Sequence, residues 1–102
     1  MTWSHYLAAF GAGLFLANVV PHFVQGVSGN RFPTPFAHPP GKGLSSPTVN
    51  VAWALLNLVV AYGLVRVGEV RCDHLPALAV CFLGVAVLSL VMSAQFAKRH
   101  AG

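Results

Sequence analysis

The stretch LPALAVCFLGVAVLSLVMSAQFA, residues 75–97, contains no charged side chain. A run of about 20 apolar residues is long enough, as a helix, to cross a hydrocarbon layer roughly 30 Å thick. In such a layer the backbone must satisfy its own hydrogen bonds, which predicts a helix for a single spanning segment. Two further apolar segments, about 4–28 and 48–67, have similar length. Charged residues make up 8% of the 102-residue chain and hydrophobic residues 56%. Soluble domains carry roughly 25% charge, and a chain this short hides only a modest share of its surface from water. Lipid is the simplest solvent for it. The predicted fold class is therefore an all-α integral membrane protein. It is one domain of three transmembrane helices, about 4–28, 48–67 and 75–97. An ordered Pro/Gly-rich loop joins the first two.

Local signals mark the boundaries. Ser46 followed by Pro47 predicts an N-cap and a first helical position for the second helix. Gly68 predicts its end. Asp73 or His74 precedes Leu75 and Pro76, and proline is tolerated in a first turn. Lys98, Arg99 and His100 end the third apolar run and suit a helix C-terminal dipole. Trp3, Tyr6, Trp53 and Tyr62 lie toward segment ends, the position of interfacial anchors. The N-terminus has no Lys or Arg before its apolar run, so the first segment is expected to be retained rather than cleaved.

Three crossings place the long loop and the third helix's C-terminal end on one side. That side carries Arg31, Lys42, Lys98 and Arg99, and the other carries Arg66, Arg71, Glu69 and Asp73. The excess of cations predicts that the loop and C-terminus face the cytoplasm of a plasma (inner) membrane, with the N-terminus outside.

Several function classes fit poorly. The net charge of +4 comes from cations scattered at segment edges, not from a dense basic stripe, so no nucleic-acid partner is expected. GKGLSS, residues 41–46, lacks the G-x-x-x-x-G-K-[ST] pattern of a phosphate loop. Cys72 and Cys81 make no disulfide framework. The two acids lie across the membrane from the loop, which disfavours paired-carboxylate catalysis. No cofactor and no catalytic residue are assigned, and enzymatic activity is not the favoured expectation.

The candidate ligand-binding residues are polar groups within the apolar segments and the loop that follows. Asn18, His22 and Gln25 recur at i, i+4 and i+7, one face of a helix. Asn50 and Asn57 repeat that spacing in the second segment, and Ser89 and Ser93 form a weaker stripe in the third. Polar side chains in spanning helices face protein or water, and the same spacing suits interhelical hydrogen bonds. Arg31, His38 and Lys42 belong to the loop, where FPTPFAHPP predicts a stiff segment folded back over the helix ends. Small residues at Ala9, Gly13 and Ala17, at Ala54 and Ala61, and at Gly84 and Ala86 mark close helix approach.

The first expectation for function is a small, self-associating membrane protein. Its cytoplasm-facing polar site would bind or translocate a small solute, an ion or a lipid headgroup. The first alternative is a non-catalytic accessory subunit of a larger membrane complex. The second is a histidine-dependent membrane enzyme or a haem or metal protein. The expected partners are membrane lipids, with either further copies of the chain or a larger complex.

Overall fold

A computed structural model of the protein describes residues 2–101, without the side chains of residues 100 and 101. The favourable charge expected of His100 therefore lies outside the described side chains. Three helices follow in order: α1 (Trp3–Val27), α2 (Pro47–Val67) and α3 (Leu75–Ala101). Each is long and apolar enough to span a membrane. The protein is an all-α, multi-pass membrane protein with no strand element among the described residues.

The distribution of side chains supports lipid as the solvent independently of helix length. The buried apolar residues within the helices are small: Ala8, Ala9, Ala12, Ala17, Ala54, Ala61, Ala77 and Cys81. The largest fully buried side chains are Asn50, Asn57 and Thr34. Large apolar residues instead face outward, with Leu90 71% and Val59 69% exposed. In water such a chain would keep its hydrophobic surface wet and its polar groups inside. In lipid, where interhelical packing relies on small residues and hydrogen bonds, the arrangement is the stable one.

The caps behave largely as the sequence predicts. Ser46 Oγ accepts from Val49 N at 3.1 Å, with Pro47 opening α2. His74 caps α3, its Nδ1 accepting from Ala77 N at 3.2 Å. α2 ends at Gly68, but the left-handed residue is Glu69, with φ 53°. Val70 N reaches Val65 O and Glu69 N reaches Arg66 O, a Schellman closure. Gly68 is needed for space instead. A Cβ there would lie 2.7 Å from Ala9 N, because the end of α2 rests on the start of α1. α1 closes in the same way, with Gly29 at φ 79° and Asn30 N on Gln25 O. α3 continues past the expected end at 97, so Lys98 and Arg99 lie in its last turn rather than beyond it.

α1 is the central helix. Both α2 and α3 pack on it, and among the described residues no Cα of α2 comes within 8 Å of one of α3. Contact with α3 is closest at Gly13, where a Cβ would fall 2.0 Å from Cys81 O, and at Gly84, opposite Phe10 O. Contact with α2 near the loop is closest at Gly26, against Pro47 and Val51. Except for the half-buried Ala86, the small residues are thus buried against the chain's own helices. The open edge between α2 and α3 is a groove with α1 as its floor.

Candidate functional site

The loop between α1 and α2 closes one end of this groove. Phe32 and Ser45 exchange backbone hydrogen bonds of 3.2 and 3.0 Å, and Thr34 Oγ1 hydrogen-bonds Ser45 Oγ behind them. Gly41 N donates to Thr34 O at 2.9 Å, which folds the loop tip back. The loop is ordered and folded over the helix ends, as its prolines suggest.

Asn50 ties the loop to both helices. It is fully buried. Its Nδ2 donates to the carbonyls of Phe32, Ser45 and Ser46 at 3.0, 3.2 and 3.0 Å. Those acceptors fix the amide's orientation, so Oδ1 faces His22, whose Nδ1 lies 2.8 Å away. An amide oxygen only accepts. Nδ1 of His22 must therefore carry the proton, and in the neutral ring Nε2 holds a lone pair.

One register deeper the same logic repeats. Asn57 Nδ2 donates to Trp53 O at 2.7 Å, leaving Oδ1 to accept from Asn18 Nδ2 at 3.1 Å. The carbonyl oxygen of Asn18 is then the free end of that amide. Backbone carbonyls of α2 and the loop orient two asparagines, and the asparagines orient two side chains of α1.

Asn18 and His22 line a cavity of about 230 Å³ between α2, α3 and the loop, together with Thr34, Trp53, Gln95 and Phe96. Neither His22 Nε2 nor Asn18 Oδ1 hydrogen-bonds any described residue. A further space of about 340 Å³, lined by Leu14, Phe15, Asn18, Trp53, Asn57 and Leu88, continues the groove toward the membrane centre. Aromatic rings frame the loop end. Phe32 meets His22 edge-on at 5.3 Å and Phe96 at 4.9 Å, and Phe36 meets Trp53 edge-on at 5.1 Å. The indole Nε1–H of Trp53 is the one buried side-chain donor without a partner among the described residues.

Four of the candidate residues, Asn18, His22, Asn50 and Asn57, come together. Gln25 does not join them: its Oε1 accepts from Asn30 Nδ2 at 3.0 Å in the C-terminal closure of α1. Arg31 and His38 are exposed on the loop and line neither space. Lys42 also lies outside them. Its carbonyl accepts from Arg99 Nη1 at 2.8 Å, 57 residues away. Ser89 and Ser93 line a separate, apolar groove between α1 and α3. Trp53, expected as an interfacial anchor, faces the groove. Its place was readable, since it lies at i+3 from Asn50 and i−4 from Asn57, on the same helical face.

At the opposite end Arg71 bridges Glu69 at 3.2 Å and Asp73 at 2.8 Å. The hydrogen bond from Arg71 holds the exposed Glu69 carboxyl below the usual glutamate value. Among the described residues no three His, Cys, Asp or Glu side chains converge, so histidine chemistry in the groove would rest on His22. No protein-family model, curated protein or solved structure matches the chain.

Proposed function

We propose that the protein is a membrane-embedded binding protein for a neutral, hydroxyl-bearing amphipathic small molecule. The observation that carries this reading is the orientation of His22 and Asn18. Two acceptors, Nε2 and Oδ1, are left without protein partners beside one cavity. A hydroxyl group donates to such acceptors, and its own oxygen can take the Trp53 indole N–H. Phe36, 60% exposed and edge-packed on Trp53, is the part of the loop that would shift to admit it. A cationic ligand is disfavoured, since the chain's only two acids are Glu69 and Asp73, held by Arg71 at the far end. The ligand's apolar body would occupy the groove beside Leu14, Phe15 and Leu88.

Binding is favoured over translocation, because three helices with α2 and α3 apart enclose no pore. We infer from the four cations on the loop side that this end faces the cytoplasm of a plasma membrane. Self-association would have to use other faces than the small-residue stripes, which the chain fills internally.

A photoreactive long-chain alcohol tests the reading. With the protein in nanodiscs, labelling should concentrate on Trp53, Leu88 and Met92 and fall sharply in His22→Phe. Labelling spread evenly over lipid-facing residues such as Leu58 and Val59 would overturn it. Purification with one large partner at fixed stoichiometry would favour the accessory-subunit alternative instead.

A further inference from the structure

A second cleft, of about 630 Å³, lies between the loop tip and the last turns of α3. It is lined by Gly41, Lys42, Gln95, Phe96, Lys98 and Arg99. The Arg99 bond to the Lys42 carbonyl joins its two walls. Lys42 and the adjacent pair Lys98 and Arg99, from segments far apart in sequence, therefore line one cleft. The chain's two acidic side chains, Glu69 and Asp73, are at the opposite membrane face and are engaged by Arg71, so no acidic side chain lies on the loop side to neutralise these cations. The cleft sits at the ends of spanning helices, the depth at which lipid headgroups lie.

Phe96 also borders an apolar groove of about 500 Å³ between α1 and α3, lined by residues such as Leu16, Val20, Pro21, Val85 and Met92. A cationic cleft at headgroup depth and an apolar groove along the spanning helices thus share Phe96 as a common wall. We propose that this pair of features binds one anionic phospholipid. Its phosphate is held by Lys42, Lys98 and Arg99, and one acyl chain lies along the α1–α3 groove. Arg and Lys are the usual partners of phosphate, and cationic pockets at the cytoplasmic ends of spanning helices are the recurring form of anionic-lipid sites. The cleft shares Gly41, Gln95 and Phe96 with the His22 cavity, but the charged and polar groups that carry the two proposals differ. None of the three cations lines the His22 cavity, and His22 lines neither of these two spaces.

The test uses the full chain in mild detergent, titrated with phosphatidylglycerol, with phosphatidylcholine or with inorganic phosphate. Native mass spectrometry reads lipid retained per chain. One phosphatidylglycerol should bind saturably, ahead of phosphatidylcholine. Lys42→Gln, Lys98→Gln and Arg99→Gln should each weaken it about fivefold, the worth of one cation at an anionic membrane surface. Arg99→Lys should retain most of the binding. Arg31→Gln, on the same side but outside the cleft, should leave it unchanged. Equal retention of phosphatidylcholine would overturn the proposal. So would an equal loss in Arg31→Gln, which would indicate diffuse attraction. Full competition by inorganic phosphate would reassign the cleft to a free anion.

Discussion

Replacing Asn50 by alanine separates an organising side chain from an ordinary interhelical contact. Four hydrogen-bond contacts are lost, three of them shared between the two N–H groups of Nδ2, and their consequences differ. The three carbonyls that accept from Nδ2 each keep a backbone donor: Ser45 N on Phe32 O, Phe32 N on Ser45 O, and Asn50 N on Ser46 O. His22 Nδ1–H loses its only partner, at 2.8 Å. A buried donor left unpaired costs about 1–3 kcal/mol, and an ordinary hydrogen bond contributes about 1 kcal/mol net. Because the three carbonyls keep other donors, the Nδ2 bonds are counted once as a group, and the expected destabilisation is about 2–4 kcal/mol. Asn57→Ala is the control. It releases Asn18, which is half-buried and borders the groove, so the loss should resemble the mean interhelical hydrogen bond in membranes, about 0.6 kcal/mol. Asn50→Asp should be at least as harmful as Asn50→Ala, since it aims an oxygen at the carbonyls. Steric-trapping measurements in bicelles give the free energies, and amide exchange at Phe32 and Ser45 reads the loop. Equal losses for Asn50→Ala and Asn57→Ala, or unchanged exchange in the loop, would refute the reasoning.

Other substitutions probe the helix contacts and the far loop. Gly13→Val should markedly lower thermal stability in detergent, because its Cβ collides with Cys81 O, whereas Gly63→Val, whose Cβ meets nothing within 4 Å, should be near neutral. Gly68→Ala should also destabilise, by pushing α2 from the Ala9 backbone. At the opposite end, carbon-detected NMR should show Glu69 titrating below an ordinary glutamate, with the value rising toward normal in Arg71→Ala. Because the folded value is the lower one, the pair's small stabilisation is present above the ordinary glutamate range and disappears as pH falls through the folded value.

The spans and several caps were legible because each depends on a local rule. Apolar runs answer to bilayer thickness, and Ser46–Pro47 or His74–Pro76 answer to the orphan amides of a first turn. The groove was half legible. The i, i+7 spacing of Asn50 and Asn57 put both on one face, and Asn18 and His22 on another, but nothing local says that these faces meet. Gln25 shares the stripe's angle, yet it has reached the helix end, where Asn30 turns back to meet it. Trp53 was placed by its position along the axis when its angle around the axis mattered more. The meeting of Lys42 with Arg99 is wholly non-local. It follows from α3 running antiparallel to α2 and ending beside the loop, which no short window contains.

The central claim is that Asn50 holds His22 with its Nε2 lone pair at the groove, ready to accept from a ligand. Nitrogen NMR of His22 in nanodiscs, at a pH where the ring is neutral, measures this directly. The account predicts a protonated Nδ1 and an unprotonated Nε2, with the Nε2 resonance moving when a long-chain alcohol is added and the Nδ1 resonance holding. A ring protonated at Nε2, or a spectrum indifferent to the alcohol, would contradict it.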